Sequence, residues 1–193
     1  MTYLTWIMTY TGIHFDLLNP KKEQMKLEDI AHALSMECRY SGHTKFFYSV
    51  AQHCLLGTYK MLEDGLSDRL QLLFMLHDAT EAWYRDIPRP LKPLLPEYLE
   101  LEAKAEKVVW EAFGIKPPTD DEWATVKHYD NLMLGNEIPK LMPNPDEFIN
   151  VEIRDDNIEI QPYRMSEVET IFKEVVLSLL VKVVKNEQQA IHN

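Results

Sequence analysis

With 193 residues, 46% of them hydrophobic, the chain has material for one ordinary domain with a real core, and its composition is neither that of a disordered chain nor that of a membrane protein. A net charge of −11 with no basic stripe excludes nucleic acid as a partner, and a small anion would bind only where local cations or a metal ion reverse the field. Two cysteines, Cys38 and Cys54, are too few for a disulfide framework, and with no basic leader before an apolar stretch the expected compartment is the cytoplasm.

In chain order, the first helical signal runs from Leu27 to Cys38, with Ile30, Ala31 and Leu34 at helical spacing. Thr44 to Leu62 repeats the pattern through Phe47, Val50, Ala51, Cys54 and Leu55, and stops before Gly65; Cys54 reads as a small buried core residue. Ser67 is placed to cap the next helix, which the pattern carries unbroken through LQLLFMLHDATEAWY until Pro88, Pro90 and Pro93 end it. A further helix spans Tyr98 to Phe113 and closes at Gly114. Thr119 and Glu122 form a capping box for the helix that carries Trp123, Val126, Asp130 and Met133; Ser166 and Glu169 form another before the terminal helix. Between these, the alternation in FINVEIRDDNIEIQPY, with a turn at Asp155-Asp156-Asn157, predicts a β-hairpin over residues 147–163. The expected fold is an all-α helical bundle in a single domain over residues 1–193, with one small β-hairpin near the C-terminal third.

Four residues on separate helical segments carry the chemistry: His53, the adjacent pair His77-Asp78, and Asp130. Imidazole and carboxylate together suit a divalent transition metal better than calcium, which takes oxygen alone. Asp78 ends an almost continuous apolar run, where a carboxylate is expensive unless a cation neutralises it. Taken singly, each has a bland reading: a lone histidine on an apolar helix is ordinarily a satisfied core residue, and a lone His-Asp dipeptide arises by chance. The case is in the four together.

The order His, His-Asp, Asp resembles the signature of the HD superfamily of metal-dependent phosphohydrolases, an all-helical fold. The resemblance extends through EDIAHALSMECRYSGHTKFFYSVAQH, LHDATEAWYRDIPRPLK and YDNLMLGNE, covering about residues 9 to 140. These segments are similar to the small bacterial 5′-deoxynucleotidases, the phage deoxynucleoside triphosphohydrolases and a branch that serves nucleoside-analogue biosynthesis. The resemblance implies that His53, His77, Asp78 and Asp130 bind one divalent metal ion (Co2+, Mn2+, Fe2+ or Mg2+). It implies that Glu81 and Asp86 are catalytic, handling the attacking water and the leaving oxygen, and that Arg39 and Lys92 meet phosphate. His43, in the Gly42-His43-Thr44 turn, is either a pocket residue that meets substrate or part of the helix entry. Tyr40 departs from the 5′-deoxynucleotidases, which carry tryptophan there, so their sugar selectivity is not carried over. Trp83 and Tyr84 read as packing rather than base-stacking residues, and His14, His32, His128 and His192 as non-ligands.

The implied function is removal of phosphate from nucleoside, deoxynucleoside or nucleoside-analogue mono-, di- and triphosphates. The alternatives are release of intact triphosphate from deoxynucleoside triphosphates and, in another class, a nucleotide-binding regulator with a structural metal. The expected partner is a small-molecule nucleotide, with no nucleic acid and no membrane, and relatives of this kind assemble as homo-oligomers.

Overall fold

The computed structural model describes residues 4–191, with side chains described as far as residue 186. Among these residues the chain is mostly helical, in keeping with the expected bundle. The helices are α1 (Leu27–Met36), α2 (Val50–Glu63), α3 (Asp68–Leu76), α4 (Glu81–Tyr84), α5 (Pro96–Phe113), α6 (Asp120–Leu141) and α7 (Met165–Ile191). Helix α1 packs on α2, α4 and α7; α3 packs on α2, α6 and α7; α2 also meets α6. The shared core is built from Ile30 and Leu34 of α1, Val50, Ala51 and Cys54 of α2, Leu72 to Leu76 of α3, Met133 of α6, and Phe172 and Val176 of α7, all essentially without solvent contact. Packing at Gly57 is close: a Cβ there would lie 2.2 Å from the Phe74 ring, so glycine lets α2 and α3 approach. No helix among the described residues is long and apolar enough to cross a membrane.

Local chemistry sets the element ends. Ser49 accepts a hydrogen bond from the Gln52 amide and starts α2, so residues 44–48 lie outside the helix expected from Thr44. Ser67 caps α3, Gly114 closes α5 in the left-handed conformation (φ 65°), and the Thr119/Glu122 capping box opens α6, all as expected. The second expected box does not form. Helix α7 already begins at Met165, and Glu169 instead takes His32 and Lys173.

The hairpin lies elsewhere than expected. Strands β1 (Trp6–Met8) and β2 (His14–Asp16) pair antiparallel with Ile7 opposite Phe15, joined by a turn in which Gly12 adopts φ 81°. Phe15 is fully buried and stacks on Trp83 at 4.3 Å, and the Tyr84 hydroxyl donates to the Leu17 carbonyl. The hairpin thus clamps α4, and both aromatic residues serve packing. Residues 147–163 form no strand pair; the amides of Arg154 and Asp156 turn to α6 instead. Pro139 sits inside α6 and has no N–H, so the Gly135 carbonyl loses its helical partner. The Arg154 amide donates to that carbonyl at 3.1 Å, and the Asp156 amide donates to the Asn136 side chain at 2.8 Å. The segment lies so close that a Cβ on Gly135 would sit 2.2 Å from the Glu152 carbonyl oxygen.

Candidate metal centre

His53 is on the first turn of α2, entered through the Ser49 cap, and its side chain is wholly buried. His77 ends α3. The helix does not run on to Tyr84: i→i+3 bonds from Ala79 to Leu76 and from Glu81 to Asp78 replace the α-helical pattern across residues 77–80, before α4. That tighter stretch places Asp78 and Glu81. Asp130 lies midway along α6.

The imidazole of His53, the imidazole of His77 and a carboxylate oxygen of Asp130 offer donor atoms within 4.8 Å of one another. His77, Asp78 and Cys54 form an overlapping group by the same measure, so the four expected ligands fall into two groups that share His77. His53 Nε2 lies 3.5 Å from Asp130 Oδ1, and His77 Nε2 lies 3.2 Å from Asp78 Oδ1. The other nitrogen of each ring is already used. His77 Nδ1 lies 2.6 Å from the Phe74 carbonyl, and His53 Nδ1 lies 2.5 Å from Glu137 Oε1. Both Nε2 atoms are buried without a hydrogen-bond partner among the described residues. Two buried imidazole nitrogens facing two carboxylates fit a divalent cation well, because a neutral ring with Nδ1 donating carries its lone pair on Nε2. This arrangement is compatible with an HD-like fold.

Cations surround the cluster. The Asp130 oxygen Oδ2 lies 3.2 Å from Arg89 and 3.5 Å from Lys127, which leaves Oδ1 toward His53. Arg39 sits 3.6 Å from Asp78 and 3.3 Å from Glu137. Lys92 bonds Glu102 at 2.9 Å and lies 3.5 Å from Glu81. These charges decide the protonation states. Burial opposes ionisation of Asp130, but the positive charge that His77 and His53 carry when protonated, together with that of Lys127, outweighs it and brings the carboxyl below its usual range. Glu81 goes the other way: burial, with Asp78 and Asp86 adding repulsion, pushes it well above the usual range, and its Oε2 is without a partner among the described residues. Burial also raises Asp86, against the pull of Arg39. Burial lowers His77, keeping the ring neutral.

His43 is exposed at the end of the turn that follows Arg39 and belongs to neither donor group. His14 stacks on Trp6, His32 pairs with Glu169 and stacks on Tyr10, and His128 packs edge-on against Tyr129; His192 lies outside the described residues.

Three contributors escape the sequence reading. Cys54 is more than a core residue: it follows His53, and its sulfur falls within one donor group, although burial pushes its thiol well up and keeps it protonated. Arg89 is, with Lys127, an exposed cation against Asp130, and with His128, Asn131 and Arg154 it lines a cavity of about 220 Å³. Glu137, fully buried, receives hydrogen bonds from Tyr40, Tyr48 and His53 and pairs with Arg39; these hold it down to about 2 against the cost of burial. Its spacing was available as a signal. Positions 130 and 137 are two helical turns apart and share a face.

No protein-family model matches the chain. Over 134 residues, 69% of this chain and 71% of the relative, it is 39% identical to the uncharacterized protein YfdR of Escherichia coli (strain K12). Over 115 residues, 57% of this chain and 59% of the relative, it is 34% identical to an uncharacterized protein of Rhodobacter capsulatus.

Proposed function

The chain belongs to the family of the Escherichia coli protein YfdR, and since that name carries no activity with it, we propose from the site itself a metal-dependent hydrolase that removes phosphate from nucleotides. One observation carries the proposal: two buried, unpartnered imidazole nitrogens face the carboxylates of Asp78 and Asp130. His53, His77, Asp78 and Asp130 would hold one divalent cation. Such a cation lowers the pKa of water and draws charge from a phosphoryl oxygen.

The surrounding side chains suit an anionic substrate. On a chain of net charge −11, Arg39, Arg89, Lys92 and Lys127 gather around this one cluster and offset its carboxylates, so that a bound divalent cation would tip the local field toward an anion. Lys92 and Arg89 reach solvent more than Arg39, with side chains 27%, 62% and 11% exposed, so they are the cations nearer an incoming phosphate. Arg39 supplies its charge from behind Asp78. Glu81, whose buried environment favours the protonated form, would take up and pass on the proton of the attacking water, with Asp86 beside it. The cavity lined by Arg89 and Asn131 would take the rest of a nucleotide, joined to the cluster through Arg89, which bonds both Asn131 and Asp130.

The test is incubation with dAMP, dADP and dATP and added cobalt, manganese, iron or magnesium, read by phosphorus NMR. Orthophosphate is expected from each substrate. Intact triphosphate from dATP would replace this reading with triphosphohydrolysis. No release with any of the four metals would overturn it in favour of a nucleotide-binding regulator. His77→Ala and Asp78→Ala are each expected to abolish turnover and metal content together, measured by phosphate release and by elemental analysis; loss of only one would count against shared ligation.

A further inference from the structure

We propose that Glu137 is the positioning residue of the metal centre: its carboxylate fixes the proton of His53 on Nδ1 and so aims the Nε2 lone pair at the cation. The inference rests on the metal-binding reading above and names a residue outside the four expected ligands.

Glu137 has no solvent contact, so its two oxygens must find their partners inside the protein. Oε2 accepts from the Tyr40 hydroxyl at 2.7 Å, with Arg39 Nε at 3.3 Å; Oε1 accepts from the Tyr48 hydroxyl at 3.0 Å and from His53 Nδ1 at 2.5 Å. Three donors and a guanidinium around one carboxyl leave it no proton to give. His53 Nδ1 must then be the donor, and in the neutral ring the lone pair goes to Nε2. That atom lies 3.5 Å from Asp130 Oδ1 and has no hydrogen-bond partner among the described residues.

The chain strains itself to complete this arrangement. Tyr40 and Ser41 both adopt left-handed backbone (φ 55° and 52°), a conformation costly for side-chain-bearing residues, in the turn that brings the Tyr40 hydroxyl to Glu137. His77 reaches the same tautomer through a neutral backbone carbonyl. His53 reaches it through a charged carboxylate, which also makes the ring a stronger donor to a metal.

Two measurements test the role. In metal-free full-length protein, nitrogen-15 correlation spectra of the histidine rings are expected to place the His53 proton on Nδ1; Glu137→Gln, whose amide can also donate, is expected to populate the Nε2–H form. In cobalt(II) titration, Glu137→Gln is expected to bind about 10–100-fold more weakly than wild type. Tyr40→Phe keeps the carboxylate and is expected to retain the tautomer. A purely structural Glu137 would lower the melting temperature of Glu137→Gln while leaving tautomer and cobalt affinity unchanged, and that result overturns the proposal. Should Glu137→Gln not fold, a wild-type His53 protonated on Nε2 overturns it alone. Wild-type protein that takes up no cobalt would instead refute the metal reading, while the tautomer measurement still stands.

Discussion

At the scale of single residues, the cluster balances groups pushed in opposite directions. Asp130 is held ionised by its cations, whereas Glu81 sits among carboxylates in a buried place. The Glu81 carboxyl ionises near its ordinary value of 4.5 when unfolded and at higher pH when folded. Over the window between those values the unfolded chain has released a proton that the folded chain still holds, so stability falls as pH rises through it. Glu81→Gln removes that slope. In chelator-treated protein, the variant is expected to resist urea better than wild type at pH 8 and no better at pH 4; equal gains at both would refute the assignment. Asp78 stood out in the sequence because it ends an apolar run where periodicity demands a hydrophobe, and His53, His77 and Asp130 because of the order in which the four follow one another. Glu137 was not, because its meaning lies in three donors, two of them tyrosines, that come from a different part of the chain. Arg89 escaped because its partner Asp130 lies on another element.

At the scale of elements, three of the expected caps read well, whereas the Ser166/Glu169 box, the Ser49 start of α2 and the strand pairing did not. Ser67, Gly114 and the Thr119/Glu122 box act through neighbours a few positions away, so sequence spacing carries their signal. The alternation in residues 147–163 is real, but the amides of Arg154 and Asp156 bond α6 rather than a facing strand, and the Gln161 carbonyl accepts from Gln52 of α2. The cause is Pro139, which leaves the Gly135 carbonyl without its helical donor, and glycine at 135 lets the later segment reach it. Gly135→Ala is therefore expected to cost about 1–3 kcal/mol, since the new methyl meets a backbone oxygen that side-chain motion cannot relieve. Urea denaturation measures this, and a neutral result would show that the segment shifts freely. The stretch between α3 and α4 escaped for a similar reason: i→i+3 bonds tighten residues 77–80 without any glycine or proline to announce them.

At the scale of the molecule, the ends of the chain hold the centre. The amino-terminal hairpin presses Phe15 onto Trp83, in the short helix that begins with Glu81. Phe15→Ala is expected to cost about 3–5 kcal/mol, as large aromatic truncations in packed cores do, and to weaken cobalt binding as well. Thermal melts and titration check the two effects; a stability loss with unchanged affinity would make the clamp purely architectural. From the other direction, residues 150–156 supply the hydrogen bond that α6 cannot make for itself. Synthesis proceeds in one direction, so Asp130 and Glu137 leave the ribosome before the stretch that completes their helix. Helix α6 therefore gains the donor that Pro139 denies it only once that later stretch has folded back over it, and a protease cut there would free the Gly135 carbonyl two positions from Glu137.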